Sequence, residues 1–177
     1  MRIPTRCSHN YFDTVSSELL RRIVLKTLSK LLGHLDTVAF AVQPLFALGV
    51  RLYLFRVFFL SGLTKLRSWD ATLYLFSNEY HVPVLPPAVA AVMGAGGELL
   101  FPILLVLGWQ GRFAAAGLFV VNLVAVMSYP GLEPVMIKDH VLWAALIAYL
   151  FVHGVGRWSL DAWRAHVTAA GMQGKRA

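Results

Sequence analysis

The chain has 177 residues, 58% of them hydrophobic and only 14% charged, where soluble domains carry roughly 25% charged residues. With a mean hydropathy of +0.63, a soluble fold of this length would expose too much apolar surface, so the composition specifies a membrane protein of one compact bundle. The net charge of +7 does not point to nucleic acid as a partner, because the basic residues flank apolar segments and do not interleave with exposed aromatics.

Residues 1–15 are polar and irregular and read as a tail. The stretch SSELLRRIVLKTLSKLLGHLD then sets Leu19, Leu20, Ile23, Val24, Leu28, Leu31, Leu32 and Leu35 at helical spacing. Arg21, Arg22, Lys26, Ser29 and Lys30 lie mostly on the other side. This is a basic amphipathic helix with Ser16 or Ser17 as its N-cap. Such a helix lies in a membrane interface with its cations at anionic headgroups; docking onto a cytoplasmic partner is the alternative. A spanning helix needs about 20 mostly apolar residues, and four stretches approach that, at 45–66, 88–107, 113–129 and 141–153. The fourth is short and needs little tilt or a locally thin bilayer. Pro44 suits the first turn of the first span, Pro102 would kink the second, and Pro130 and Pro134 break the third loop. Between the first two spans, Trp69, Tyr74, Phe76 and Tyr80 suit an interfacial aromatic belt. Pro83, Pro86 and Pro87 then stiffen the approach to the second.

The expected fold is therefore all-α: a membrane-embedded four-helix bundle preceded by a basic interfacial helix. Residues 1–43 form the tail and that helix, 44–163 the bundle, and 164–177 a cytoplasmic tail. Arg21, Arg22, Lys26 and Lys30 precede the first span, Arg112 joins the second to the third, and Arg157, Arg164, Lys175 and Arg176 follow the fourth. The remaining loops offer Arg67 and Lys138, with Lys65 at a helix end. This bias places both termini in the cytoplasm of a bacterial inner membrane. Cys7 is the single cysteine, so no internal disulfide or C-x-x-C chemistry arises, and the N-terminus lacks the pattern of a signal peptide.

Counting along antiparallel spans puts Arg56, Glu98 and Asn122 near one depth. A lone carboxylate in hydrocarbon is costly, and an arginine on the next helix would let Glu98 stay ionised. The Arg56–Glu98 pair with Asn122 is open to two readings, a lock between helices or a site for a ligand or proton. Arg51 and Lys65 are long enough to snorkel to opposite surfaces. Asp139 and His140 open the fourth helix, Asp139 as a cap or first-turn acid. Glu79, His81 and His140 carry metal-ligand groups on the outer face, but no H-x-x-H pair or cysteine gathers them, so no metal is assigned. The glycines of GAGGE, at 94–98, allow close helix packing.

Several motifs together resemble the DoxX-like family of small membrane proteins. RLYLFRVFFLSGLTKL (51–66) is similar to the family's opening helix, FSNEYHVPVLPP (76–87) to its outer loop, ELLFPILLVLGWQGR (98–112) to its acidic second helix, and GVGRWSLDAW (154–163) to its ending. The resemblance covers about residues 48–163 in order. It implies a four-helix integral membrane protein, with Arg51, Lys65 and Glu98 at the family's charged positions and Gly156, Ser159 and Asp161 in its closing motif. Arg56 departs from the pattern, which has an apolar residue there. Members are associated with quinone-linked sulfur oxidation, oxidative-stress complexes and metal-linked operons. The expectation is a membrane subunit of a redox-linked system, quinone-facing or anchoring a protein partner from a redox or metal-linked system. It is at most a non-catalytic or quinone-interacting subunit. No haem, flavin or iron–sulfur motif is evident, so a partner would supply electrons. The alternative is a non-enzymatic scaffold or small-solute carrier.

Two expectations are open to direct test. Reporter fusions should place the C-terminus in the cytoplasm and the loop near Glu79 outside; a periplasmic C-terminus overturns the topology. A peptide of residues 17–35 should become helical on anionic vesicles and detach as salt rises. Equal binding to neutral vesicles at high salt would remove the electrostatic part of that reading.

Overall fold

The computed structural model describes residues 7–173, and every regular element among them is an α-helix. The chain divides into two compact units, Met1–Gln43 and Pro44–Ala177, and α1 (Cys7–Arg67) contributes to both. In the first unit the helix begins at Cys7 and runs through Ser16 and Ser17, where a cap was expected. No glycine or proline occurs between Cys7 and Leu32 to interrupt it. Its apolar stripe is uncovered: Val24, Leu28, Leu31, Leu35 and Val38 are all exposed.

The second unit holds the rest of α1 with α2 (Trp69–Asn78), α3 (Pro87–Leu107), α4 (Gly111–Ser128), α5 (Pro134–His153) and α6 (Leu160–Gln173). Four helices are long and apolar enough to cross a membrane: α3, α4, α5, and α1 over Val24–Arg67. The 21 residues of α3 reach about 30 Å, the thickness of the hydrocarbon layer. Pro87 and Pro134 each occupy the first turn of their helix, where a missing N–H costs nothing. Pro134 therefore starts α5 and does not break a loop. The fourth span gains two turns, needs no thin bilayer, and carries Asp139 and His140 inside it, not at its opening.

Two further helices occupy stretches expected to be irregular. Trp69, Leu73, Phe76 and Tyr80 recur at helical spacing, so the aromatic loop after the first span folds as α2. These side chains form a small cluster with Ala90 and Ala91 of α3. Ser159 caps α6, its Oγ accepting from Ala162 N–H at 3.2 Å, so the expected tail is helical through Gln173.

The main core draws Val50, Leu54 and Phe58 from α1, Leu105 from α3, Leu118 from α4 and Ile147 and Leu150 from α5. α4 packs between α3 and α5. Lipid gives no hydrophobic push between helices, so they associate by close packing over small residues. A Cβ at Gly62 would stand 2.8 Å from Leu99 Cγ, and one at Gly97 only 2.7 Å from Val121 Cγ2. The first of these close approaches draws α1 onto α3 at Glu98.

Candidate functional site

Glu98 is 7% exposed in the middle of α3. Its partner is Lys65, whose Nζ lies 2.6 Å from Oε2 and 2.9 Å from Oε1. Lys65 Nζ also donates to Ser61 Oγ, one turn back on α1, at 3.1 Å. A lysine has three N–H donors, and these contacts use all of them. The expected Arg56–Glu98 pair does not form: Arg56 is exposed and makes no ion pair among the described residues. Depth misled the pairing, because nine positions along a helix amount to about 180° of rotation. Lys65 and Arg56 therefore point to opposite sides of α1, and Gly62 places the Lys65 side against Glu98. Lys65 does not snorkel; its stem turns toward the bundle, with 21% of its side chain exposed against 9% for Glu98.

The same end of the bundle is closed by aromatics. Phe76 meets Tyr80 edge-on with ring centres 4.9 Å apart, and Tyr80 meets Tyr129 at 5.4 Å. His81 N–H donates to Ser128 O at 2.8 Å, tying the segment after α2 to the end of α4. Burial pushes the Tyr80 phenol above its ordinary range, and the charges of Tyr129, Glu98 and Glu79 act in the same direction.

Asn122 belongs to a different contact. Its Nδ2 donates to His140 O at 3.0 Å, and its Oδ1 meets His140 Nδ1 at 2.7 Å. The three residues placed at one depth thus divide among three surroundings. Glu79, His81 and His140 are not gathered either: His81 Nδ1 meets the Glu79 carbonyl at 3.1 Å. No three His, Cys, Asp or Glu among the described residues stand together as a metal site.

At the opposite end Arg51 is 2% exposed and does not snorkel. Nε donates to Leu105 O at 2.7 Å, and Nη1 to Val155 O at 3.1 Å and Trp158 O at 2.7 Å. Nη2 donates to Val106 O. α3 ends in a left-handed Gly108 at φ 66°, with Trp109 N–H on Leu104 O at 3.0 Å and Gly108 N–H on Leu105 O at 3.1 Å, the paired bonds of a Schellman turn. A Cβ on Gly108 would come within 3.0 Å of both Arg51 Nη2 and the Ser159 backbone. Asp161 accepts from Gln110 N–H at 2.9 Å and Gly111 N–H at 2.8 Å, holding the first turn of α4 although Gln110 is itself left-handed. Ser159 Oγ donates to Gly156 O at 2.7 Å. The closing motif is thus a structural joint.

The DoxX family model matches residues 46–130, the segment that carries Arg51, Lys65, Glu98 and Asn122. Over that segment the chain is similar to the DoxX family. No curated protein and no solved structure matches it. The matched segment ends before His140 and the 154–163 joint. Ser61 was missed in the sequence although it stands four positions before Lys65, the spacing at which helical side chains meet.

Removing one charge of the Lys65–Glu98 pair leaves the other buried and uncompensated. Glu98→Gln or Lys65→Met alone should each cost about 3 kcal/mol, read as lowered thermal stability in detergent. The double variant should recover most of that loss, and Arg56→Met should be nearly silent. Additive loss in the double variant would refute the pairing.

Proposed function

We propose that this DoxX-like protein is a membrane subunit of a redox-linked system and that the Ser61–Lys65–Glu98 triad holds a quinone headgroup. The observation that carries the reading is the state of Ser61. Its Oγ accepts from Lys65, so its own hydrogen is free, and the side chain is partly exposed. A hydroxyl polarised by an ammonium group is a good donor to a carbonyl. Glu98, with both oxygens on Lys65, holds the ammonium in place and can take or return a proton. A quinone held there would be reduced to a quinol by two electrons from a flavin- or iron–sulfur-bearing protein partner and two protons, one by way of Glu98 and the other from water at the membrane surface. This chain's residues bind the carbonyl, orient it and exchange the proton. Because the triad lies in a membrane-spanning region, a bilayer-soluble carbonyl compound suits it better than an aqueous solute.

In this reading the chain sits in a bacterial inner membrane with both termini cytoplasmic, and residues 17–35 rest on its anionic surface. The charge bias of the loops and the basic amphipathic pattern support that placement. The second reading, a scaffold, draws on the three bonds of Lys65 and the four of Arg51, since polar groups bonded between helices also lock them.

The double variant Lys65→Met, Glu98→Gln separates the two. It keeps the fold in both readings. Binding of a short-chain benzoquinone to the protein in lipid nanodiscs should fall at least about tenfold with it, and similarly with Ser61→Ala, as expected for loss of a charge-assisted hydrogen bond. Unchanged quinone binding in both variants, or none in the wild type, overturns the proposal.

A further inference from the structure

We infer that the Asn122–His140 pair fixes His140 as a hydrogen-bond acceptor for a bilayer-soluble hydroxyl compound, the quinol form of the quinone proposed above. The identity of the ligand rests on that reading; the acceptor itself rests on geometry. The His140 backbone carbonyl can only accept, so the group 3.0 Å from it must be the Asn122 amide nitrogen. That orientation turns Asn122 Oδ1 to His140 Nδ1, 2.7 Å away. An amide oxygen cannot donate, so Nδ1 carries the hydrogen. In a neutral imidazole the other nitrogen then bears a lone pair. Among the described residues Nε2 has no hydrogen-bond partner, so one acceptor is left over inside a membrane-spanning helix.

The surroundings select what can fill it. Asn122 is 3% exposed and anchors the pair, while the His140 ring is only partly buried. The Trp143 ring stands 4.8 Å from the imidazole at 71°, braced by Phe58 at 5.5 Å. Trp143 Nε1 donates to Tyr53 Oη at 3.1 Å, which fixes the indole across α1 and α5. The flat faces of Trp143 and Tyr53 suit a ring compound. α5 is long and apolar enough to span the membrane, so a bilayer-soluble compound can reach the pair. A neutral Nε2 accepts and cannot donate, so it discriminates for a hydroxyl and against a carbonyl. A quinol offers that hydroxyl and the oxidised quinone does not. The contrast with Ser61, a donor suited to the carbonyl, makes the two sites chemically complementary.

The test uses the full chain, with histidine labelled by nitrogen-15, in lipid nanodiscs. The His140 resonance, identified by its loss in His140→Gln, should show an unprotonated Nε2 and a protonated Nδ1. Adding a short-chain benzoquinol should move the Nε2 signal, and adding the dimethyl ether of that quinol should not. His140→Gln should weaken quinol binding by about tenfold and leave benzoquinone binding unchanged. The wild-type tautomer and shift need no variant to fold. A protonated Nε2 in the free protein, or an ether that binds as well as the quinol, overturns the inference. Quinol binding at His140 without quinone binding at Ser61 overturns the function proposed above and supports this site; the reverse overturns this site alone.

Discussion

The guanidinium of Arg51 is the interaction on which the rest of the bundle depends. A helix leaves its last carbonyls without intrahelical partners, and at the edge of hydrocarbon water is a poor substitute. The turn at Gly108 satisfies Leu104 O and part of Leu105 O. Arg51 takes Leu105 and Val106 of α3 together with Val155 and Trp158 before α6. One side chain on α1 therefore ties three segments, and its positive charge complements the negative end of the α3 dipole. Asp161 completes the joint from the other side, its carboxylate on the first N–H groups of α4. The α3–α4 turn is thus bracketed by a cation where one helix ends and an anion where the next begins.

Lys65 and Glu98 solve the same problem differently. Arg51 bonds fixed backbone carbonyls and is closed to the outside. Lys65 bonds a carboxylate on the neighbouring helix and a serine that keeps a hydrogen to give. Arg51 joins a side chain to fixed backbone, and Lys65 joins side chains of α1 and α3.

Much of this was legible in the sequence, and the limits follow from geometry. Apolar runs located all four spans because hydrocarbon thickness fixes their length. Arg51, Lys65, Glu98 and Asp161 were recognised as residues of interest from motifs alone. Their partners were not. Depth follows from counting residues, but the direction a side chain faces depends on helix rotation, and Gly62 settles that rotation for α1. Arg56 and Lys65 differ by half a turn, so a choice made on depth selected the wrong cation. The helical spacing of Trp69, Leu73 and Phe76, and Ser159 as a cap, were present in the sequence but hidden by reading those stretches as interfacial loop and tail. Arg51's four carbonyls leave no mark in the sequence, since any residue has a carbonyl.

The polar groups within the spans share one feature that separates a lock from a site. A lock directs its donors and acceptors onto fixed backbone groups, as at Arg51 and Asp161. In the other two contacts the filled bonds themselves define what is left unfilled. Lys65, by donating to Ser61, leaves that serine a donor; Asn122, by accepting from Nδ1, leaves His140 an acceptor. Removing the inner partner would cost stability and also scramble the chemical sense of the outer group, letting the serine turn or the imidazole change tautomer. Ser61 and His140, groups of opposite sense that are each oriented by a bonded neighbour, are the physical reason to read these contacts as sites.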